Sequence, residues 1–145
     1  MIEQVSVFLE NKPGHLAELT RALANADINL RALMLADTSQ FGVARIICDH
    51  PNAAKKVLEQ SGFGVSITQV LAVEIPDTPG GIADVLDVLG RAGVNVEYAY
   101  AFVEPGRSAA VDIFKVDDPT AADALTVAGI SVIAPDRLYA IDVAV

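Results

Sequence analysis

At the start of the chain, apolar residues follow two different spacings. Val5, Val7 and Leu9 recur at every second position, which is the period of a β-strand. After Pro13-Gly14, the apolar positions within residues 16–23 recur every three or four residues, which is the period of a helix. The pattern therefore predicts a strand, a turn and a helix, in that order.

The rest of the first half predicts two more strands, a second helix and a closing strand. Residues 28–36 and 42–48 are apolar and compatible with strands, and the turn-forming residues 37–40 between them are typical of a hairpin. A short helix is predicted after Pro51 and ends at Gly62, before a last strand. The predicted order of elements is βαββαβ.

The chain contains this unit twice. Pro13-Gly14 aligns with Pro79-Gly80 at an offset of 66 residues, and the same offset aligns Asn29 with Asn95. A period of this length exceeds that of solenoid repeats, which reach about 50 residues, so the halves are two small domains. Later matches show that the offset drifts to 68 and then to 67: Asp49 with Asp117, and Gly62 with Gly129.

The junction between the halves has no linker. We expect one domain over residues 1–69 and a second over residues 70–145, which repeats the element order and adds a strand at residues 138–143. The apolar run of residues 65–75 passes through the junction without a Gly/Ser-rich or Pro-rich segment. The two domains are therefore expected to pack closely.

The element order also indicates the fold class. A βαββαβ unit with right-handed crossovers folds as an α+β, ferredoxin-like sandwich, in which two helices cover one face of an antiparallel sheet. The chain is predicted to be two such sandwiches in tandem. Residues 30–35 and 70–73 are apolar at both parities, although the open face of such a sheet is normally polar. We expect the other repeat, a second chain or both to cover that face, and we expect a homodimer.

Composition and net charge argue against several classes of function. The chain of 145 residues is 52% hydrophobic with a formal net charge of −9, so it should fold and should repel nucleic acid and anionic membranes. Its single cysteine, Cys48, can form neither an intramolecular disulfide nor a thiolate metal pair, which favours a cytoplasmic protein. We expect no signal peptide, and no apolar run reaches the roughly 20 residues that span a membrane.

Two loops carry the candidate chemistry, and each opens a helix: Asn11-Lys12-Pro13-Gly14-His15-Leu16 and Asp77-Thr78-Pro79-Gly80-Gly81-Ile82. One interpretation is structural, with Asn11 and Asp77 capping the helix N-terminus and Pro near the first helical position. The other is functional, because glycine lets another group approach the backbone, and free N–H groups with the helix dipole favour a carboxylate. The sequence leaves both interpretations open.

Catalysis finds no support in the sequence. A reaction centre needs a nucleophile, a base or metal ligands at workable spacing, and no such set occurs. Asp49 and His50 are adjacent and would point apart on a strand. His15 could bond a carboxylate, but a lone loop histidine is more often only solvated. We therefore expect neither an enzyme nor a cofactor.

The residues in and after the two loops resemble the ACT domain. The pattern is Asn/Asp-x-Pro-Gly after a strand, an amphipathic helix, and an Asn that opens the next strand. It occurs as residues 11–14 with Asp27-Ile28-Asn29-Leu30, and as residues 77–80 with Gly93-Val94-Asn95-Val96. The resemblance spans nearly the whole chain and implies a small regulatory module that binds amino acids where paired domains meet.

The resemblance also implies roles for single residues. In the family, the Asn or Asp of the loop and the Asn of the second strand contact the amino and carboxylate groups of the ligand. These roles fall to Asn11 and Asn29 in the first unit and to Asp77 and Asn95 in the second. With the backbone groups of both cradles, the implied ligand-binding residues are Asn11, Lys12, Pro13, Gly14, His15, Leu16, Asn29, Leu30, Asp77, Thr78, Pro79, Gly80, Gly81, Ile82, Asn95 and Val96.

The two cradles are not identical, since His15 stands where Gly81 does and Asn11 where Asp77 does. They need not bind the same ligand. The expected function is a non-catalytic sensor that binds an amino acid at ACT domain interfaces, as a homodimer, and acts on an enzyme or a transcription partner. The alternative is a structural dimerisation or partner-docking module with vestigial ligand loops.

Overall fold

The computed structural model of the chain describes residues 1–37, 40–103, 106 and 108–139. It has seven strands and five helices within these residues, in the following order: β1 (Ile2–Glu10), α1 (His15–Asn25), β2 (Leu30–Asp37), β3 (Phe41–Cys48), α2 (Pro51–Gln60), β4 (Gly64–Pro76), α3 (Gly81–Arg91), β5 (Val96–Val103), β6 (Ala109–Val116), α4 (Ala121–Val127), β7 (Ser131–Val132) and α5 (Pro135–Tyr139).

The chain forms two compact units. The N-terminal unit consists of Glu3–Thr68 with residues 136–139, and the C-terminal unit consists of Met1–Ile2 and Gln69–Pro135. The division between Thr68 and Gln69 lies inside β4, because the apolar run at the junction forms one long strand.

Both units have the predicted fold. In the N-terminal unit the strand order is β2-β3-β1-β4, and in the C-terminal unit it is β5-β6-β4-β7. Within each unit, the third strand is antiparallel to the first and to the second. The two helices of each unit pack on one face of its sheet, so the α+β, ferredoxin-like prediction is confirmed.

Each unit has its own hydrophobic core between the helices and the sheet. Equivalent positions fill the two cores, and each large aliphatic side chain buried there contributes roughly 1.5–3 kcal/mol. The members include Val5, Val7, Leu19, Leu23, Ala54 and Leu58 in the N-terminal unit, and Leu71, Val73, Val85, Leu89, Ala121 and Leu125 in the C-terminal unit. The helical and strand periodicities therefore identify the core faces correctly.

The two stretches that are apolar on both faces of their strands, residues 30–35 and 70–73, differ in their burial. Val70 and Ala72, which alternate with core residues, are fully buried, so the prediction that both faces are covered is confirmed for residues 70–73. Leu33 and Leu35 in β2 stay 39% and 46% exposed. The homodimer stays a prediction.

The structure corrects the prediction for the chain end. Residues 138 and 139 belong to helix α5 and not to a strand, while Ala140–Val143 lie outside the described residues. The physical reason is Pro135, whose fixed φ suits the first position of a helix and starts one here. The predicted turn at residues 37–40 includes Thr38 and Ser39, which also lie outside the described residues.

Candidate ligand-binding loops

Each glycine loop joins the first strand of its unit to the first helix. Gly14 precedes α1 with φ 85°, and Gly80 precedes α3 with φ 88°. Both angles lie in the left-handed region, which costs other residues roughly 1–2 kcal/mol. A Cβ atom at either glycine would meet nothing within 4 Å. The backbone therefore requires glycine at both positions, and the space beside it is open.

The prediction that Asn11 and Asp77 cap these helices is wrong. Neither α1 nor α3 has a side-chain cap, because the helices begin at residues 15 and 81, several residues beyond the proposed caps. The first helical hydrogen bonds are donated by Glu18 N–H to Gly14 O at 2.9 Å and by Asp84 N–H to Gly80 O at 3.0 Å.

Backbone donors at both helix starts are left over. The N–H groups of His15 and Gly81 close tight turns onto the carbonyl oxygens of Lys12 and Thr78. Among the described residues, no acceptor is found for the next two N–H groups of either helix, which belong to Leu16, Ala17, Ile82 and Ala83. Unbonded N–H groups and the positive end of the helix dipole make each loop suited to an anion.

The main chain of each loop is tied to the start of the third strand of its unit. Asn11 donates its backbone N–H to Gln40 O at 3.0 Å, and Asp77 donates to Ser108 O at 2.9 Å. Lys12 forms an exposed ion pair with Glu10 at 3.2 Å. Pro13 and Pro79 are exposed between these anchors and the glycines. The two loops therefore share one backbone frame.

The asparagines that open the second strands are held by aspartates. Asn29 donates its backbone N–H to Asp49 Oδ1 at 3.1 Å, and Asn95 donates to Asp117 Oδ1 at 3.0 Å. The aspartate N–H groups return hydrogen bonds to the asparagine carbonyl oxygens. This structural role of Asp49 and Asp117 was not predicted, although the repeat alignment pairs the two aspartates.

Within one unit, the loop and the asparagine lie at opposite ends of the sheet. The β1–β3 register pairs Glu10 with Phe41, whereas the β2–β3 register pairs Leu30 with Cys48. The two ends are therefore separated by about 23 Å along β3. The C-terminal unit has the same arrangement, with Pro76 opposite Ala109 and Val96 opposite Val116. A small molecule cannot contact both parts of one unit.

His15, at the first position of α1, packs against other parts of the N-terminal unit. The His15 ring stacks on the Phe63 ring, with centroids 5.1 Å apart and an interplanar angle of 26°. His15 Nδ1 also accepts a hydrogen bond from Glu10 N–H at 2.9 Å. The cavity that borders this loop has a volume of about 60 Å³ and is lined in part by Leu16 and Leu35. That volume is well below the roughly 300–1,000 Å³ that is usual for ligand pockets.

The C-terminal loop borders a much larger cavity of about 650 Å³. Gly81 lines it and is buried, and a Cβ atom there would overlap the carbonyl oxygen of Pro76. The lining residues are Glu74, Ile75, Pro76, Thr78, Gly81, Asp84, Val85, Ser108, Ala109, Gly129, Ile130 and Ser131. The cavity lies entirely within the C-terminal unit.

Asp112 and Cys48 are buried polar residues outside the two glycine loops. Asp112 on β6 is 2% exposed, its Oδ2 has no hydrogen-bond partner among the described residues, and burial raises the pKa of its carboxyl. Burial also raises the pKa of the Cys48 thiol to about 11, so the buried thiol stays protonated at neutral pH.

The described residues contain no group of three or more His, Cys, Asp or Glu side chains placed to hold a metal ion. A separate finding concerns the helices within those residues, none of which combines the length and the apolar character needed to cross a membrane.

The sequence matches the family model of the ACT domain pair over residues 1–141. A protein from Bacteroides thetaiotaomicron with a known crystal structure is similar, with 36% identity, a TM-score of 0.90 and 95% of both chains covered. The ligand-free regulatory subunit of aspartate kinase from Thermus thermophilus has a TM-score of 0.68 at 16% identity, over 88% of this chain and 90% of that one.

The regulatory subunit of aspartate kinase from Thermus flavus has a TM-score of 0.64 at 18% identity, over 86% of this chain and 88% of that one. The likeness to the two Thermus subunits shows the fold. A comparison with curated proteins finds no match. The family model covers nearly the whole sequence and agrees with the two ferredoxin-like units of the structure. The chain therefore belongs to the ACT domain pair family.

Proposed function

We propose that this protein is a non-catalytic regulatory protein that binds an amino acid at its ACT glycine loops. ACT domains are regulatory modules, and the family model of the ACT domain pair matches this chain over residues 1–141. The observation that carries the proposal is the loop geometry: a left-handed glycine with open space beside it, next to helical N–H groups with no acceptor among the described residues. A carboxylate fits these donors.

The second part of the proposal is that the ligand is shared between chains of a dimer. Asn29 and Asn95 lie at the far end of their own units, so their ligand contacts require another ACT unit, which the proposal takes from a second copy of the chain. A ligand that contacts two chains at once favours the paired arrangement and shifts any partner that recognises it. The exposed Leu33 and Leu35 on β2, the outermost strand of its unit, support such pairing because burying them is favourable.

The regulated partner is proposed to be a separate enzyme or a transcription regulator. The Thermus proteins of the same fold are named as regulatory subunits of an enzyme. By analogy, this chain would transmit the bound state of its loops to another polypeptide.

Thermal-shift measurements with each of the twenty amino acids test the binding proposal. A ligand that binds only the folded state raises the melting temperature in proportion to the logarithm of its concentration over its dissociation constant. Light scattering of the same samples tests the dimer. A stable dimer with no shift from any amino acid would contradict ligand sensing and support the structural dimerisation module.

Replacing the glycines tests whether the loops form the site. Gly80→Val and Gly14→Val should each lower stability by about 1–2 kcal/mol, since they place a side chain in the left-handed region. The valine at a binding loop should also remove the ligand-induced shift, because it fills the open space. Circular dichroism shows whether each variant keeps its fold, and a folded pair that binds as the unmodified protein does would refute the site.

A further inference from the structure

The N-terminal unit carries two exposed phenylalanine rings on its sheet. Phe8 on β1 and Phe41 on β3 are 59% and 60% exposed. The β1–β3 register places Phe8 opposite Val43 and Phe41 opposite Glu10, so the two rings are diagonal neighbours on one face of the sheet. Aromatic side chains are enriched in the cores of protein interfaces. This aromatic pair is therefore a candidate contact surface.

The C-terminal unit has a cavity of about 650 Å³ at the equivalent place. The repeat offset of 66 makes Glu74 the counterpart of Phe8. Strand register makes Ala109 the counterpart of Phe41, because Ala109 pairs with Pro76 as Phe41 pairs with Glu10. Both counterparts line the cavity. The same position in the fold thus carries the aromatic pair in one unit and a cavity in the other.

Two further rings of the N-terminal unit are replaced in the C-terminal unit. Gly81 stands where His15 does, and Ile130 stands where Phe63 does. The N–H groups of Phe63 and Ile130 make the same hydrogen bond to a leucine in the preceding helix, which confirms that they are equivalent. Gly81 and Ile130 both line the cavity. Four lining residues therefore correspond to four ring-bearing residues, so the cavity has the space that aromatic rings occupy in the other unit.

The cavity has room for the aromatic pair of another copy. A cavity of about 150 Å³ is enough to hold a benzene ring, so about 650 Å³ accommodates both phenylalanine rings. At about 60% of the roughly 150–250 Å² that each phenylalanine can bury, the pair removes roughly 180–300 Å² of apolar surface from water. That is about a quarter to a third of the roughly 800 Å² that one partner buries in a standard interface. We therefore expect a weak, reversible contact with the two rings as its anchors.

Charge also favours this surface as the occupant. Asp84 is an exposed lining residue of the cavity, and none of the described lining residues is Lys, Arg or His. A second copy with a net charge of −9 would in general be repelled by such a rim. Beside the aromatic pair, however, Lys12 and Glu10 form an ion pair at 3.2 Å. This surface therefore brings a cation and no net negative charge to the rim.

From these observations we infer that Phe8 and Phe41 of one copy dock in the cavity beside Gly81 and Ile130 of a second copy. The contact joins unlike surfaces, and every copy carries both of them. Contacts of this kind assemble copies into closed rings or open chains. The inference goes beyond the proposed function, because the contact requires neither amino-acid binding nor pairing through β2.

Photo-cross-linking of the full chain tests the inference. The photoreactive residue p-benzoylphenylalanine takes the place of Phe8, and isotopically labelled and unlabelled chains are mixed before irradiation. The expected products join a labelled chain to an unlabelled one, with cross-linked peptides that contain Ala109 or Ile130. Cross-links within one chain only, cross-links to other parts of the second chain, or none at all would overturn the inference.

A control separates this contact from the dimer of the proposed function. Leu33→Ser with Leu35→Ser removes the exposed leucines of β2 and should leave the cross-link from position 8 unchanged. Loss of the cross-link in this control would overturn the inference, because the contact would then depend on pairing through β2. Failure of the cross-link in the unmodified background would leave amino-acid binding and β2 pairing untouched.

Sedimentation equilibrium measures the strength of the contact in chains that carry Leu33→Ser and Leu35→Ser, so that β2 pairing does not contribute. Phe8→Ser with Phe41→Ser should weaken self-association at least about tenfold, and Ile130→Phe should do the same by filling the cavity. The matched control is Val127→Ser, because Val127 is 89% exposed and does not line the cavity. It should associate within about twofold of the parent chain. Unchanged association of a folded Ile130→Phe chain would overturn the inference.

Mixing the two weakened variants gives a further test. The double serine variant keeps the cavity and the Ile130→Phe variant keeps the aromatic pair, so a one-to-one complex should form in the mixture although neither variant self-associates. Absence of that complex would refute the inference, as would self-association of Ile130→Phe through nonspecific adhesion of its phenylalanines. Should circular dichroism show that Ile130→Phe does not fold, Ser131→Trp at the exposed rim of the cavity takes its place.

Discussion

The two glycine loops of this chain have nearly the same backbone and very different surroundings. Both place a left-handed glycine before a helix and leave N–H groups without an acceptor among the described residues. At the C-terminal loop a cavity of about 650 Å³ borders Gly81, whereas His15 at the same position of the N-terminal unit is stacked on Phe63. Backbone hydrogen bonds maintain a common frame, while single side chains decide whether a cavity remains.

The hydrophobic cores show the same kind of divergence at one position. Strand register places Asp112 opposite Val73 and Ala101, and it places Ala44 opposite Val7 and Leu35. In the C-terminal unit the buried carboxyl of Asp112 therefore lies beside the small residue Ala101. In the N-terminal unit the small residue Ala44 lies beside the large residue Leu35. The exchange lowers the side-chain volume of the pair and adds a polar group whose Oδ2 has no hydrogen-bond partner among the described residues.

The largest expected effect on stability comes from adding a side chain at Gly81. Gly81→Ala should destabilise the chain by about 2–3 kcal/mol, because its Cβ overlaps the Pro76 carbonyl oxygen and the backbone must move. The control is Gly90→Ala in the same helix, where a Cβ meets nothing within 4 Å, and it should stabilise by about 0.5–1 kcal/mol. Urea unfolding measures both. Equal effects from the two variants would contradict the close approach at Gly81.

The next effect comes from removing the buried charge at Asp112. Because burial raises the pKa of this carboxyl, the folded state binds a proton more readily than the unfolded state. The ionised carboxylate therefore destabilises the fold above its folded-state pKa, and stability returns as the pH falls toward the unfolded-state pKa. Asp112→Asn should raise stability by about 1 kcal/mol at neutral pH.

Thermal melts of Asp112→Asn and of the unmodified chain over a pH series measure this effect. The difference in stability should shrink as the pH is lowered through the carboxyl titration. Asp117→Asn, which keeps an acceptor at an exposed position, is the control for the loss of one charge. A stabilisation by Asp112→Asn that does not change with pH would mean that the charge is not its cause.

The smallest expected effect on stability comes from removing the aspartate–asparagine hydrogen bond that both units contain. Asp49→Ala and Asp117→Ala each remove one hydrogen bond to the N–H group of the asparagine that opens the second strand. Each should cost about 0.5–1.5 kcal/mol, with the larger cost at Asp49, whose side chain is 12% exposed, and the smaller at the exposed Asp117. Chemical denaturation measures the costs. No cost at either position would show that these hydrogen bonds do not stabilise the frame that the two units share.

The fold could be predicted from the sequence because several local signals agree. The alternation of residues 5–9, the helical spacing of residues 16–23 and the second copy at an offset of 66 all indicate the same unit. The predicted strand at residues 138–143 is wrong at residues 138 and 139, because Pro135 starts a helix there, and its other residues lie outside the described part of the chain.

The backbone of the candidate loops could be predicted from the sequence, and the cavity beside the C-terminal loop could not. Loop composition pointed to both glycines, and the difference between His15 and Gly81 was visible in the alignment. The stacking of His15 on Phe63 brings together residues that are far apart in sequence, so spacing did not reveal it. Asp112 was hidden for a different reason: the offset had drifted to 68, and only strand register shows that Asp112 and Ala44 are equivalent.

The N–H groups at the starts of α1 and α3, which have no acceptor among the described residues, allow ligand binding at each loop to be measured by hydrogen exchange. A backbone amide without an acceptor exchanges its hydrogen for solvent deuterium quickly, and an anion seated on it slows that exchange. Because Leu16 and Ala17 lie far along the sequence from Ile82 and Ala83, proteolytic fragments separate the two signals in a mass spectrometer. Occupancy of either loop can thus be followed without any label on the protein or its ligand.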